Sequence, residues 1–210
     1  ATTDNKVPTL ASATKPAAVR WWMTIPMTVV DTIIRALAPA MPDKVAAAHH
    51  TDLLSILTYG PHPRTGRFVI GMGSLPGGGW GAKHNSDGMN AVVCINDGDT
   101  HNAPVEAAET RFPYVIEEYA LRQDSGGAGK FRGGLGVRKV VRMLGDQTFN
   151  STIERTQCAP WGLFGGRDAL PNRLSVRRAD GRIETFPNGK VSAMRLGAGG
   201  AEIIGGGGGG

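Results

Sequence analysis

Asp124-Ser125-Gly126-Gly127-Ala128-Gly129-Lys130-Phe131-Arg132-Gly133-Gly134-Leu135-Gly136 places six glycines in thirteen positions. Inside a helix or strand each would cost about 0.5–1 kcal/mol relative to alanine. Such density suits a backbone that packs against another backbone, takes positive φ, or presents bare N–H groups to a ligand. An acid (Asp124), a hydroxyl (Ser125) and two cations (Lys130, Arg132) sit among the glycines, so chemistry is available to the segment. This stretch decides the reading of the fold: it separates an acidic, mixed first half from a basic, β-patterned second half.

The surrounding chain has 210 residues, 40% of them hydrophobic and 20% charged, ordinary values for a globular protein with a substantial core. Glycine, at 31 residues, is the outlier, and its clustering without period excludes a collagen-like repeat. Net charge is +5, unevenly placed: Leu121 to Leu196 carries 14 Lys/Arg against 6 Asp/Glu, and Lys83 to Ala120 carries 2 against 7. The two patches are expected to meet each other or to dock a partner subunit. The basic residues are scattered and lack aromatic platforms between them, which argues against nucleic acid. No apolar run reaches the ~18 residues of a membrane span and no signal peptide is visible, so the chain reads as cytoplasmic, with no membrane partner. Cys94 and Cys158 have no metal-ligand spacing and read as two buried free thiols in a reducing compartment.

Upstream, residues 1–19 read as a loose arm. A helix is expected from about Thr24, with Pro26 in its first turn and Met27, Val30, Ile34 and Leu37 as its buried face, ended by Pro39 and Pro42. His49 and His50 are adjacent and point to different faces, so they read as packed or exposed histidines, not as a ligand pair. Arg67 to Met72 reads as a strand leading into a second glycine cluster, Gly77-Gly78-Gly79-Trp80-Gly81. Ala91 to Ile95 reads as an apolar strand after the Asp87-Gly88 turn. Asp97, Asp99 and His101 alternate and share a face on an extended chain; such a set suits a divalent ion, but the glycine and asparagine around it favour a solvated turn. A short helix is expected after Asn102–Pro104, closed by Phe112-Pro113, followed by a strand from Tyr114 to Leu121. Beyond Gly136 the pattern is β: Val137 to Leu144, Thr148 to Thr156, and a hairpin of Leu174 to Arg178 with Arg182 to Phe186 about Ala179-Asp180-Gly181. The six terminal glycines read as a tail or a cut end. The mixed order of segments predicts an α+β fold, an N-terminal helix followed by a β-rich half full of glycine loops.

Known glycine-loop chemistries fail on spacing. A phosphate-binding loop needs a glycine separated by four residues from its Gly-Lys and a hydroxyl after it, but Gly129-Lys130 has Asp124 and Phe131 in those places. Gly71-Met72-Gly73 is followed by Pro76 where a dinucleotide fingerprint needs glycine. No Gly-x-Ser-x-Gly elbow is present, and Ser125 has no histidine near it in sequence.

Four stretches taken together do carry a resemblance: Gly77 to Ala82, Asp87-Gly88, Asn102 to Pro113, and Leu121 to Lys139. They resemble the hydantoinase B/5-oxoprolinase family, the B-type subunits of ATP-dependent hydantoinases, which is similar also to the alpha subunit of acetone carboxylase. Trp161 to Arg167 and the terminal glycines follow in the same order. The resemblance implies a central-to-C-terminal portion of such a subunit, residues 20–210 forming a partial domain. It implies a complex in which ATP is held by a hydantoinase A-type ATPase subunit, which activates a cyclic amide whose ring is then opened; in the ketone carboxylases a ketone is carboxylated instead. It also implies a divalent metal held by sequence outside this chain, and the remaining half of the B-type subunit as a partner. A non-catalytic assembly module of such a complex is the third reading. On residue chemistry, Asp124 and Arg132 are the candidate catalytic groups. Gly77, Gly78, Gly79, Trp80, Asp87, Ser125, Gly126 and Gly127 are the candidate substrate-binding wall.

Overall fold

The computed structural model describes residues 24–72, 76–93 and 100–210. Among the described residues the helices are α1 (Thr24–Leu37) and α2 (Val105–Arg111). The strands among them are β1 (Ile56–Pro61), β2 (Phe68–Met72), β3 (Tyr114–Leu121), β4 (Val137–Met143), β5 (Gln147–Thr152), β6 (Arg173–Arg177), β7 (Ile183–Thr185), β8 (Lys190–Gly197) and β9 (Gly200–Ile204). Two antiparallel sheets result, one in the order β2-β1-β5-β8 and the other β3-β4-β9-β6-β7. The fold is α+β with its strands concentrated in the second half, as the sequence pattern predicts. Residues 1–19, Cys94, Asp97 and Asp99 lie outside the described residues. Among those described, no helix is long and apolar enough to cross a membrane.

Alternation along the strands turns one face of each sheet inward. Ile56, Phe149, Val191 and Leu196 from the first sheet meet Val141, Met143, Leu174, Val176, Ala201 and Ile203 from the second in one core. Tyr114 and Ala108 close it from β3 and α2. The outer face of β1 and β2 is also apolar. Phe68, Ile70 and Met72 are 67, 61 and 54% exposed, and the register sets them beside Pro61, Tyr59 and Leu57.

Several local expectations shift. Helix α1 buries Met27 and Asp31, whereas Leu37 is exposed. The face is rotated because Asp31 is drawn inward by His49 and Arg155. Ala91 to Val93 form no strand: Val92 makes an isolated bridge with Gly78, and Ala91 has φ of 52° and donates to Leu135. Strand β5 stops at Thr152, and Arg155 just beyond has φ of 50°, which ends extended pairing. Cys158 is exposed, not buried, because it lies in the loop between β5 and β6 and outside the core.

The glycine clusters form a structure of their own. Residues 205–209 are buried, so the terminal glycines are interior and not a tail. Their hydrogen bonds repeat every three residues. Gly205 and Gly208 donate to Val137 and Gly134, and Gly207 and Gly210 donate to Leu170 and Arg167. Gly206 and Gly209 accept from Gly79 and Ala82. The outer segments repeat the spacing: Ala47 and His50 donate to Ala82 and Gly79, Arg167 and Leu170 to Ala128 and Ser125, and Gly88 and Ala91 to Arg132 and Leu135. A β-ladder alternates every two residues; a three-residue period is that of polyproline II. The loops are therefore a laterally bonded bundle of extended segments with Gly205–Gly210 at its axis. A Cβ on Gly134 would land on the Met89 carbonyl oxygen, and one on Gly208 on that of Trp80.

Gly134→Ala is expected to abolish cooperative thermal unfolding or soluble expression. Gly145→Ala, whose Cβ would meet Pro63 only at an ordinary 3.4 Å, is expected to leave the unfolding midpoint unchanged or slightly raised. Equal behaviour of the two variants would refute the bundle packing.

Candidate functional site

Ser125 is fully buried; its Oγ donates to the Arg122 carbonyl at 2.7 Å and accepts from the Gly136 N–H at 2.8 Å. This clamp ties the two ends of the opening glycine segment together. Asp87 Oδ1 accepts the Arg132 N–H at 2.8 Å, and Asn90 Oδ1 accepts the Leu135 N–H at 2.8 Å and Arg132 Nη1 at 3.3 Å. Two residues of one turn thereby fix a loop more than forty positions away in sequence. Arg132 Nη1 also donates to the Gly133 carbonyl at 2.8 Å. Asp124 is exposed at φ of 54° and makes no hydrogen bond or ion pair among the described residues. Gly79, Gly126 and Gly127 pack against the carbonyls of Gly134, Gly133 and Arg167. Asp87 and Arg132 are thus brought together, Ser125 closes the base of their loop, and Asp124 stands at its rim.

Trp80 links this layer to a second cluster, of which the sequence marks only the histidines and not their partners Asp31, Arg155 and Asn172. Its Nε1 donates to the Val93 carbonyl at 2.8 Å, and its ring meets His49 edge-on at 5.2 Å. His49 Nδ1 lies 3.3 Å from Asp31 Oδ1, whose other oxygen accepts Arg155 Nη2 at 2.8 Å. Arg155 Nη1 donates to the His49 carbonyl at 2.7 Å, closing a ring of interactions that fastens α1 to the body. Burial pulls the Arg155 guanidinium below its ordinary value and the Asp31 charge opposes it. Next in sequence, His50 stacks on Gly78, where a Cβ would strike its ring. Neither His50 ring nitrogen reaches a partner in good geometry, although the Asp52 and Gly79 backbone lies alongside. Thr51 Oγ1 and Asp52 Oδ1 are likewise buried and unpartnered. Asp52 Oδ2 accepts the Glu154 N–H at 2.8 Å and Asn172 Nδ2 at 3.2 Å. Positive φ at Thr51 and Leu54, 41° and 52°, adds backbone strain in the same few residues.

Both histidines are buried, in keeping with the packed alternative. Their signal in the sequence was the run His49-His50-Thr51-Asp52, polar throughout; its partners Asp31, Arg155 and Asn172 come from distant segments and carry no motif. Burial lowers His50 to about 4, with the neighbouring His49 adding to the shift. Burial also raises Asp52 to about 7 against the amide of Glu154. A carboxyl that titrates near neutrality is chemically able to exchange a proton there. Among the described residues no three His, Cys, Asp or Glu side chains converge to hold a metal.

The fold and site together define a glycine-bundle chain that builds a rigid wall over a buried polar cluster. The family profile described as hydantoinase B/oxoprolinase matches residues 2–210, and the chain belongs to that family. It is 31% identical over 149 residues to the putative D-/L-hydantoinase B-type subunit of Pseudomonas sp. (strain NS671), a match covering 71% of this chain and 24% of that one. The crystal structure of the ATP-dependent caprolactamase from Pseudomonas jessenii superposes with a TM-score of 0.75 at 25% identity, over 93% of this chain and 35% of that one. Nucleotide-free acetone carboxylase shares the fold, with a TM-score of 0.67 at 17% identity over 82% of this chain and 27% of that one. The chain therefore spans about a quarter to a third of the length of these relatives.

The two buried titrations have opposite signs. Asp52 holds a proton in the folded state up to about pH 7, whereas the unfolded chain releases it near 3.8. Its contribution is thus most favourable below about pH 4, falls as pH rises, and is fully unfavourable, by about 4 kcal/mol, above pH 7. His50 is neutral in the folded state down to about 4 and in the unfolded chain only down to 6.5, so stability is lost as pH falls through that window. Asp52→Asn should raise the denaturant midpoint at pH 8 and flatten its decline between pH 4 and 7; an unchanged profile would show that Asp52 ionises freely.

Proposed function

We propose that this chain is a portion of the B-type subunit of an ATP-dependent enzyme that opens a cyclic amide by hydrolysis. The observation that carries this reading is the fit of 93% of the chain to the ATP-dependent caprolactamase. Its partners are an A-type subunit that holds ATP and the remainder of the B-type polypeptide, and the assembly works in the cytoplasm. Residues 20–210 act as one partial domain. The exposed apolar stripe Phe68, Ile70 and Met72 supports a fold meant to be covered by further protein. In this reading the divalent metal that the family likeness implies is held by sequence outside this chain.

Hydrolysis of an amide needs the carbonyl oriented and its developing negative charge stabilised. In this reading Asp124 and Arg132, on one glycine loop, orient the polar groups of the substrate. Gly77, Gly78, Gly79, Trp80, Asp87, Ser125, Gly126 and Gly127 form the wall against which it is held. Backbone already bonded on all sides contributes position without reorganisation.

In the purified complex, a lactam or hydantoin should stimulate ATP hydrolysis, and Asp124→Ala or Arg132→Ala should lower kcat by about 10²-fold with assembly intact. Wild-type turnover by both variants would remove them from the site. Stimulation by acetone plus bicarbonate, and not by a cyclic amide, would turn the reading toward a ketone carboxylase.

A further inference from the structure

Each sheet has two edge strands, and three of these four are guarded against pairing with another chain. β3 carries Glu117 and Glu118 and a register shift between Ile116 and Glu118. β7 is only three residues long, and its Glu184 is held by Arg178. β8 carries Lys190 and Arg195, and two register shifts interrupt its pairing with β5. β2 has none of these guards. It reads Phe-Val-Ile-Gly-Met, without charge or proline, and its five pairs with β1 run without a shift. Among the described residues no strand pairs with its other edge.

The face that β2 shares with β1 is as bare as its edge. Phe68, Ile70 and Met72 are each more than half exposed and sit beside Pro61, Tyr59 and Leu57. Thr148 and Asn150 of β5 continue the rows opposite Tyr59 and Leu57. None of these three strands contains Asp, Glu, Lys, Arg or His. A regular uncharged edge and an uncharged apolar face on one strand are the marks of a strand interior to a larger, covered sheet.

We propose that β2 is an interior strand in the assembled subunit. A strand from the remainder of the B-type polypeptide pairs with its free edge, and the chain continuing from that strand lays apolar side chains over Phe68, Ile70 and Met72. This rests on the B-type reading above. The present chain spans 24% of the hydantoinase B-type subunit and 35% of the caprolactamase chain that it matches, so such a polypeptide has sequence enough for both tasks. A second copy of this chain does not perform both. Antiparallel pairing of two β2 edges about a two-fold axis keeps their apolar faces on one side and doubles the exposed patch. Stacking two copies face to face leaves both edges open. Charge steers separately diffusing partners and fixes their register, and this face has none. A segment of the same polypeptide, held at an effective concentration of ~mM, needs no steering.

Two measurements on the purified complex test the proposal without turnover. By hydrogen exchange, every amide of β2 should be protected to within about tenfold of those of β1, whereas an open edge would exchange alternate amides about a hundredfold faster. Photo-methionine, a near-isosteric diazirine analogue, should cross-link from position 72 to a peptide of B-type sequence outside residues 1–210. Fast exchange at alternate β2 amides, a cross-link from Met72 to the A-type subunit or to a second copy of this chain, or no cross-link at all would each overturn it. A peptide map of the complex before irradiation shows whether further B-type sequence is present, so failure of the B-type reading is distinguishable from failure of this one.

Discussion

Six consecutive glycines at Gly205–Gly210 have to satisfy their N–H and C=O groups inside the protein, and every neighbouring segment is positioned by that requirement. A buried amide left unpaired costs about 1–3 kcal/mol, so an interior strand of bare backbone is tolerable only if partners approach from several directions. Three-residue periodicity supplies them, since successive residues point their polar groups to different neighbours. Val137 and Gly134 take one side, Leu170 and Arg167 another, and Gly79 and Ala82 a third. Those neighbours can come close only because they too are largely glycine or present only backbone at the contact. Composition at Gly77–Gly81, Gly126–Gly136 and Gly162–Gly166 is thus one constraint expressed three times.

Asn172 joins this bundle to the sheets. Its Oδ1 accepts the Gly206 N–H at 2.5 Å, while its Nδ2 donates to Asp52 Oδ2 at 3.2 Å and to the Glu154 carbonyl at 2.8 Å. One buried amide side chain therefore holds the axial glycines, the strained Thr51–Leu54 segment and the end of β5. Arg155 extends the tie to α1 through Asp31. Strain at Thr51, Leu54 and Arg155 persists because the segments on either side are pinned by groups that have no alternative partner. Rigidity of the bundle and tension in the polar cluster are consequences of the same few contacts.

Strands were legible where alternation is strong. Tyr114–Leu121, Val137–Met143 and the β6–β7 hairpin follow from period-two patterning and the Asp180-Gly181 turn. Ala91 to Val93 misled because an apolar run looks the same whether it pairs in a ladder or packs against a glycine helix bundle. Leu37 misled because helical periodicity cannot show that a carboxylate, Asp31, will be paired and buried in place of an aliphatic side chain. The terminal glycines were illegible as interior, since their value lies in contacts with segments as distant as those of Ala48, Gly79 and Leu170. Within the candidate site, Asp87 and Arg132 could be selected as polar residues beside glycine, but the Asp31–His49–Arg155 network spans 124 residues and leaves no local trace.

Segregation of charge along the chain acquires a structural meaning at the β3–β4 hairpin. The last acids of the negative stretch, Glu117 and Glu118, face two arginines of the positive stretch, Arg142 and Arg138 of β4. Both pairs are more than a third exposed on at least one partner, so their energetic worth is small and their effect is on register. The bulge before Glu118 lets consecutive acids both reach the outer face, which a regular strand would forbid.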